Sequence, residues 1–284
     1  MESDNLLIED GKYSFQSKKR RTLLILIIVI ILVIVIGLTL FFVLRSNSDD
    51  SNEQDELPFK KVIKEDSYIH LVPKSGKYDY IFIFMHGLFG KGEEYVETFN
   101  KKDGPIPENF KIILPTAHSV YVSRLEFNTT SWFDLKGINN DVIKEKDMDF
   151  NDMEISGNLI KHLINEEVQN VNNDYSKIFI GGFSQGACMS YHIGLSFEHT
   201  LGGLLNFCGI PVTKTQIYEN RENLNILTIA GGKDIYFPLD YFENQTYTVL
   251  QNFTNLTIIP FPNEEHAVTK VGLDEVKKYI KSWL

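Results

Sequence analysis

The hydrophobic positions of this chain fall into two patterns, and the first is one long uninterrupted run. Residues 22–44 carry no charge and consist almost entirely of leucine, isoleucine and valine. A run of this length can cross the roughly 30 Å hydrocarbon layer of a bilayer. It lacks the polar face of a helix packed on a globular core, and it exceeds the apolar region of a cleaved signal peptide. The pattern therefore predicts a single transmembrane helix.

In the second pattern, short apolar runs alternate with amphipathic segments from residue 59 to the end of the chain. The apolar runs predict buried strands at 68–72, 80–85, 111–115, 177–181, 204–208, 225–230 and 256–261. The segments between them predict helices at 93–100, 152–168, 185–197, 241–250 and 273–284. This alternation predicts one α/β domain, residues 59–284, with a mostly parallel central sheet.

Two segments of this domain carry more specific predictions. The apolar stripe predicted to face the core from helix 152–168 consists of Ile155, Leu159, Leu163 and Val168. Residues 117–147 show no clear hydrophobic period, and the segment is longer than an ordinary connection. We therefore expect it to be a substrate-binding loop.

The basic residues that flank the hydrophobic run predict its orientation. Residues 18–21 are all lysine or arginine, whereas after the run Arg45 is followed by no basic residue until Lys60. By the positive-inside rule, residues 1–21 are predicted to be a cytosolic tail and 45–58 an acidic linker. The domain 59–284 is then luminal or extracellular, which is the arrangement of a single-pass type II membrane protein.

Two further sequence signals concern the location of the protein in the cell. Four N-glycosylation sequons are compatible with the predicted orientation, at Asn128, Asn244, Asn252 and Asn255. Residues 2–7 resemble an acidic dileucine signal, which would direct the protein to endolysosomes. A polar tail that happens to contain two leucines explains the same residues equally well. Both an endomembrane and the plasma membrane stay open as locations.

Composition excludes some classes of function. The net charge is −10, and the one basic cluster is the membrane-flanking one, so no nucleic-acid-binding face is predicted. The two cysteines, Cys188 and Cys208, are too few for a disulfide framework and are predicted to be buried small hydrophobic residues. The sequence does not predict an oligomeric state.

Residues 177–188 contain the motif with the clearest chemistry. A short apolar run leads into Gly182-Phe183-Ser184-Gln185-Gly186, and a helical segment follows. A nucleophilic serine on a tight strand-to-helix turn needs this order, because small flanking residues let the backbone bend and a substrate carbonyl approach. Ser184 is therefore the predicted nucleophile. A glycine-rich turn without catalytic function is the alternative interpretation of the pentapeptide alone.

A serine nucleophile also needs a base, a carboxylate and donors for the oxyanion. In α/β-hydrolases the chain order is serine, then acid, then histidine. Asp234 follows the predicted strand 225–230 on a glycine-rich loop, with Asp240 as its rival, and His266 is the only histidine after it. The amides of Gln185 and Leu88 are the predicted oxyanion hole, since Leu88 follows the predicted strand 80–85.

These motifs resemble the phospholipase/carboxylesterase family of α/β-hydrolases, which includes acyl-protein thioesterases and lysophospholipases. The resemblance spans about residues 65–284 and is carried by the phrases 84–88, 131–134, 181–186 and 231–234, together with His266. It implies an α/β-hydrolase fold, a triad of Ser184, Asp234 and His266, and no metal or organic cofactor.

The resemblance also implies a binding region and shows where this chain departs from the family. By analogy, the segment that carries Trp132 and Phe133 borders the acyl channel. Phe89 stands where family members commonly have glycine, and it is a third expected substrate contact. Residues 230–232 and Ile235 also depart from the usual pattern. These differences bear on acyl-chain and head-group preference, and they leave the triad complete.

The leading hypothesis is a membrane-anchored serine hydrolase that cleaves acyl esters or thioesters through an acyl-enzyme. Its partner would be an acyl-bearing substrate, namely a lipidated protein, a lysophospholipid or another ester. One alternative is a non-catalytic hydrolase-fold ectodomain used for binding or adhesion. Another is a serine peptidase or acyltransferase on the same fold.

Overall fold

The computed structural model describes residues 57–63, 68–137 and 142–284. Within these residues, no helix combines the length and the apolar character that crossing a bilayer requires. The predicted cytosolic tail 1–21 and the predicted transmembrane run 22–44 lie outside the described residues, as does the linker up to residue 56.

The described chain builds an eight-stranded sheet and a separate two-stranded hairpin. In the large sheet the strand order is β1-β2-β4-β3-β7-β8-β9-β10. The pairs β1–β2 and β2–β4 are antiparallel, and the other five are parallel, which confirms the prediction of a mostly parallel sheet. The strands are β1 Phe59–Ile63, β2 Ile69–Pro73, β3 Tyr80–Met85, β4 Phe110–Leu114, β5 Ser119–Val122, β6 Phe127–Thr130, β7 Ile178–Phe183, β8 Gly203–Phe207, β9 Ile226–Gly231 and β10 Leu256–Phe261.

Helices cover both faces of the large sheet. They are α1 Val96–Phe99, α2 Phe150–Glu167, α3 Gln185–Ser196, α4 Leu239–Leu250 and α5 Lys270–Trp283. Alternate side chains of β3 show the two cores. Ile81 and Ile83 belong to the core that α2, α3 and α4 cover, whereas Phe82 and Phe84 belong to the core that α1 and α5 cover. The central strands are continuous apolar runs because both of their faces are buried.

The structure corrects the predicted core face of α2. Ile155 is 63% exposed and Leu159 is 44% exposed, whereas the helical pattern predicts both in the buried stripe. The buried face instead consists of Met153, Gly157, Ile160, Leu163, Ile164 and Glu167. Glu167 is buried because Lys111 of β4 donates a 2.5 Å hydrogen bond to its carboxylate. Ile155 and Leu159 line a separate surface groove of about 250 Å³.

Residues 117–147 are also more structured than the sequence predicts. They contain the hairpin β5–β6 and a 3-10 turn at Glu145–Asp147, and residues 138–141 lie outside the described residues. The sequence also misses β1, whose two lysines are exposed at the edge of the sheet. Charged side chains are common on edge strands, where they discourage pairing with another chain.

Candidate active site

Ser184 occupies the turn between β7 and α3. Its backbone has φ 55° and ψ −116°, a conformation that is uncommon for a residue with a side chain. The Ser184 amide donates to the carbonyl of Phe207 on β8 (2.9 Å), and the Ser184 carbonyl accepts from the amides of Ala187 and Cys188 (both 3.1 Å). The neighbouring strand and the helix it starts therefore hold the strained serine in place. This is the geometry of a nucleophile elbow.

Two glycines make this tight turn possible. A Cβ on Gly182 would lie 2.3 Å from the carbonyl carbon of Gly186, and a Cβ on Gly186 would lie 2.1 Å from the carbonyl oxygen of Met85. Both distances are far inside van der Waals contact. The elbow therefore packs directly against the end of β3, and this contact brings Leu88 next to the serine.

Asp234 and His266 meet at the same edge of the sheet. Asp234 follows β9 and His266 follows β10, and the carboxyl ends of these parallel strands lie side by side. His266 Nδ1 lies 2.7 Å from Asp234 Oδ2. The other carboxylate oxygen accepts from the amides of Tyr236 and Phe237, at 2.8 and 2.9 Å. The carboxylate is thus fixed by three partners and buried, while the imidazole keeps one part-exposed side.

Aromatic rings connect the histidine to the nucleophile strand. The ring centroid of Phe183, the residue before Ser184, is 4.8 Å from that of His266. Tyr236 packs edge-on at 4.9 Å, and Phe237 lies at 5.9 Å. These contacts limit rotation of the imidazole, so its orientation does not depend on the Asp234 hydrogen bond alone.

The two predicted oxyanion donors belong to segments that contact each other. Within the described part of the chain, neither the Leu88 nor the Gln185 amide donates a hydrogen bond to another group of the chain. Both N–H groups are therefore available for a developing oxyanion. By contrast, the neighbouring amides already have partners: that of Phe89 donates to the carbonyl of Thr130 on β6, and that of Gly90 donates to the carbonyl of Gly87 within the loop.

His86 begins the loop that carries Leu88, and its buried side chain has a role that the sequence alone does not assign. Its Nε2 accepts the Ala117 N–H at 2.9 Å, so the ring is neutral and its Nδ1–H donates to the Gly87 carbonyl at 2.6 Å. Burial lowers the pKa of His86 to about 4. The neutral imidazole thereby supports the backbone on the N-terminal side of Leu88. The His-Gly pair directly after β3 is the sequence signal that could have identified it.

The side chain of Gln185 connects the elbow to residues 131–133. Its Oε1 accepts from the backbone N–H of Trp132 (3.0 Å), and its Nε2 donates to the carbonyl of Phe133 (2.8 Å) and to Ser131 Oγ (2.9 Å). Gln185 therefore has a structural role in addition to its backbone amide. No local sequence pattern marks this contact, because 52 to 54 residues separate the partners.

The three residues expected to contact substrate have different positions. Phe133 lines a cavity of about 20 Å³ beside Ser184. Trp132 does not line this cavity but the groove of about 250 Å³. Its buried indole lies 5.0 Å from the His86 ring, tilted by 36°, and donates to the His86 carbonyl at 2.8 Å. Phe89 is 47% exposed, has φ 67° and contacts Phe127 of the hairpin.

The cavity has an apolar lining drawn from distant parts of the chain. Besides Ser184, Gln185 and Phe133, it is lined by Leu88, Leu135, Ile143, Met148, Cys188 and Phe237. The sequence reasoning missed most of these side chains, since no local pattern marks them. Both cysteines are buried, as predicted. Burial raises the pKa of each thiol to about 12, and the charge of Asp234 adds to the effect on Cys208.

This arrangement of sheet, helices and elbow defines the α/β-hydrolase class. The family model described as Phospholipase/Carboxylesterase matches residues 67–284, and the chain belongs to that family. The Acyl-protein thioesterase 1 of Eremothecium gossypii is 27% identical over 223 residues, which cover 75% of this chain and 92% of that protein. The Lysophospholipase-like protein 1 of Mus musculus is 27% identical over 227 residues, with the same coverage.

Solved structures agree on the fold. Zea mays acyl-protein thioesterase 2 superposes with a TM-score of 0.63 at 22% identity, covering 76% of this chain and 98% of that one. Arabidopsis thaliana SOBER1 gives 0.62 at 19% identity, covering 72% and 98%. Family membership and the named relatives identify the chain as a serine hydrolase of esters or thioesters.

Proposed function

We propose that Ser184, His266 and Asp234 are the catalytic triad of an acyl-ester or acyl-thioester hydrolase. One observation carries the proposal: a serine in a strained elbow shares the sheet edge with a buried carboxylate that accepts a 2.7 Å hydrogen bond from His266 Nδ1. That bond fixes the tautomer, because a proton on Nδ1 leaves Nε2 free to act as a base.

The mechanism follows from these roles. His266 Nε2 removes the hydroxyl proton as Ser184 Oγ attacks the acyl carbonyl, and Asp234 stabilises the imidazolium that forms. The Leu88 and Gln185 amides bind the oxyanion, and each such donor is worth about 10²–10³ in rate. His266 protonates the leaving alcohol or thiol, and an acyl-enzyme remains. Water activated by His266 then attacks it and releases the carboxylic acid.

The cavity beside Ser184 favours a short acyl chain. Its volume of about 20 Å³ is close to the space that a single water molecule needs. Its lining is almost entirely apolar, so it suits the first carbons of an acyl chain and not a charged group. We infer a preference for short acyl esters or thioesters, with Phe133 as one side chain that limits chain length.

The triad is tested by rates of hydrolysis of short acyl esters and thioesters. Asp234→Asn should lower kcat by about 10⁴-fold, because the imidazole loses the partner that sets its tautomer. Asp240→Asn is the matched control, since Asp240 is an exposed aspartate six residues further along the chain. Equal loss in the two variants, or no loss in either, would contradict the assignment of Asp234.

We also propose that the enzyme is anchored by residues 22–44 with its domain on the luminal or extracellular side. Support comes from the basic cluster at 18–21 and from four sequons whose asparagines are all exposed. Its substrates would then be luminal or extracellular acyl esters or thioesters. Treatment of the cellular protein with an endoglycosidase should lower its apparent mass. An unchanged mass, with a domain open to protease outside sealed vesicles, would contradict this orientation.

A further inference from the structure

Cys208 lies directly beside the proposed catalytic pair. It follows β8 with φ 49°, and its thiol points to the loop after β10, 3.7 Å from the carbonyl of Ala267. One ligand atom each from Cys208, Asp234 and His266 lies within 4.8 Å of the other two. Among the residues that the structure describes, this is the one cluster of three or more histidine, cysteine or acidic side chains close enough to hold an ion.

The three side chains are the ligand types that zinc prefers. A thiolate, an imidazole nitrogen and a carboxylate oxygen bind Zn²⁺ at about 2.0–2.3 Å, usually in a tetrahedron that can keep a fourth position for water. Tetrahedral ligands at these lengths lie about 3.3–3.8 Å apart. The largest separation in the cluster therefore has to shrink by about 1 Å. Rotation of the Cys208 side chain about its Cα–Cβ bond can supply a movement of this size, and the 2.7 Å separation of His266 Nδ1 and Asp234 Oδ2 has to open by about 0.5 Å.

Access to the cluster is through the imidazole. The side chains of Asp234 and Cys208 are buried, whereas that of His266 keeps 14% of its surface exposed. An ion can therefore approach along the exposed part of the histidine ring. The acidic net charge of the chain, −10, does not oppose a cation.

We propose that Cys208, Asp234 and His266 form an inhibitory site for Zn²⁺. The ion takes the position of the proton between Asp234 and His266 Nδ1, and that proton moves to Nε2. The Cys208 thiol releases its own proton to solvent and binds as thiolate. No electron is transferred. With Nε2 protonated, the imidazole cannot accept the proton of Ser184, so hydrolysis stops; this inhibition rests on the proposed triad, whereas binding of the ion does not.

The test titrates the full-length protein with buffered Zn²⁺ and measures hydrolysis and bound metal separately. Competition with a chromogenic chelator should show that wild type binds one ion per chain. Activity should fall in parallel with binding, and EDTA should restore it. Cys208→Ala should stay active, and its half-inhibitory zinc concentration should rise by at least about 10–100-fold. Cys188→Ala, which removes the other buried cysteine, should leave the wild-type zinc affinity in place.

Cobalt gives a direct signature of the ligands. Co²⁺ bound to wild type should show a thiolate-to-metal absorption band, which Cys208→Ala and the nearly isosteric Cys208→Ser should both lack. Equal zinc inhibition of wild type and both variants, or no ion bound by wild type, would overturn the proposal. A chain that binds zinc through Cys208 but hydrolyses nothing would support the metal site and contradict the proposed function.

Discussion

Replacing His86 by asparagine should reduce the pH dependence of folding stability. In the native protein the ring is fully buried and neutral, because Nε2 accepts the Ala117 N–H and therefore cannot carry a proton. Protonation would break that 2.9 Å hydrogen bond and place a charge in the core. Burial accordingly lowers the pKa of His86 to about 4, compared with 6.5 for an exposed histidine.

The size of the effect follows from proton linkage. As pH falls through 6.5 the unfolded chain binds a proton at residue 86, whereas the native protein binds it only near pH 4. The unfolded state holds more protons in this window, so stability rises with pH by up to about 1.4 kcal/mol per unit. Above pH 6.5 the contribution is constant. Between pH 6.5 and pH 4, this one residue should therefore lower the free energy of unfolding by about 3 kcal/mol.

Denaturant unfolding at several pH values measures this slope. Trp132 is a convenient reporter, since its ring lies 5.0 Å from His86, and Trp283→Phe removes the only other tryptophan. In that background, His86→Asn should reduce the slope of the free energy of unfolding against pH between pH 4.5 and 6. The reduction should correspond to about one fewer proton taken up on unfolding. His162→Asn is the control, because the His162 side chain is 74% exposed. If His86→Asn and His162→Asn gave the same slope, the argument from burial would be refuted.

Three further predictions concern specificity, stability and topology. Phe133→Ala should move the acyl-chain length that gives the highest kcat/KM toward longer esters, and an unchanged optimum would exclude Phe133 as a length limit. The same variant should lower the free energy of unfolding by about 3–5 kcal/mol. Lys111→Met should lower the free energy of unfolding, measured with urea, by about 3–5 kcal/mol, because it removes the lysine that pairs with the buried Glu167 carboxylate. Lys61→Met removes a more exposed ion pair and should lower it by less than about 1 kcal/mol. Removing all four sequon asparagines should abolish the expected endoglycosidase shift; a remaining shift would place glycans elsewhere.

The sequence predicted the parts of the fold that depend on local patterns. Continuous apolar runs marked the central strands, because a strand buried on both faces needs apolar residues throughout. The strand, elbow and helix around Ser184 were visible for a similar reason, since the turn requires glycines at 182 and 186. Asp234 and His266 could be chosen by chain order, and the structure places them 2.7 Å apart.

Features that depend on distant contacts could not be predicted in this way. The helical pattern places Ile155 on the buried face of α2, whereas in the structure Ile155 is exposed and that face includes Glu167. An ion pair with Lys111, 56 residues away, makes that burial possible, and no local signal reveals it. The hydrogen bond from the Trp132 indole to the His86 carbonyl, 46 residues away, likewise has no local signal. The cavity lining was missed for the same reason.

Our proposal requires that Ser184 is a nucleophile activated by His266. The most direct measurement is covalent labelling of the full-length protein with a fluorophosphonate probe, followed by mapping of the modified residue. We predict one label per chain on Ser184, none on Ser184→Ala, and strongly slowed labelling of His266→Ala. Absence of labelling in the folded wild type, or equal labelling of Ser184→Ala, would contradict the account and favour a non-catalytic binding domain.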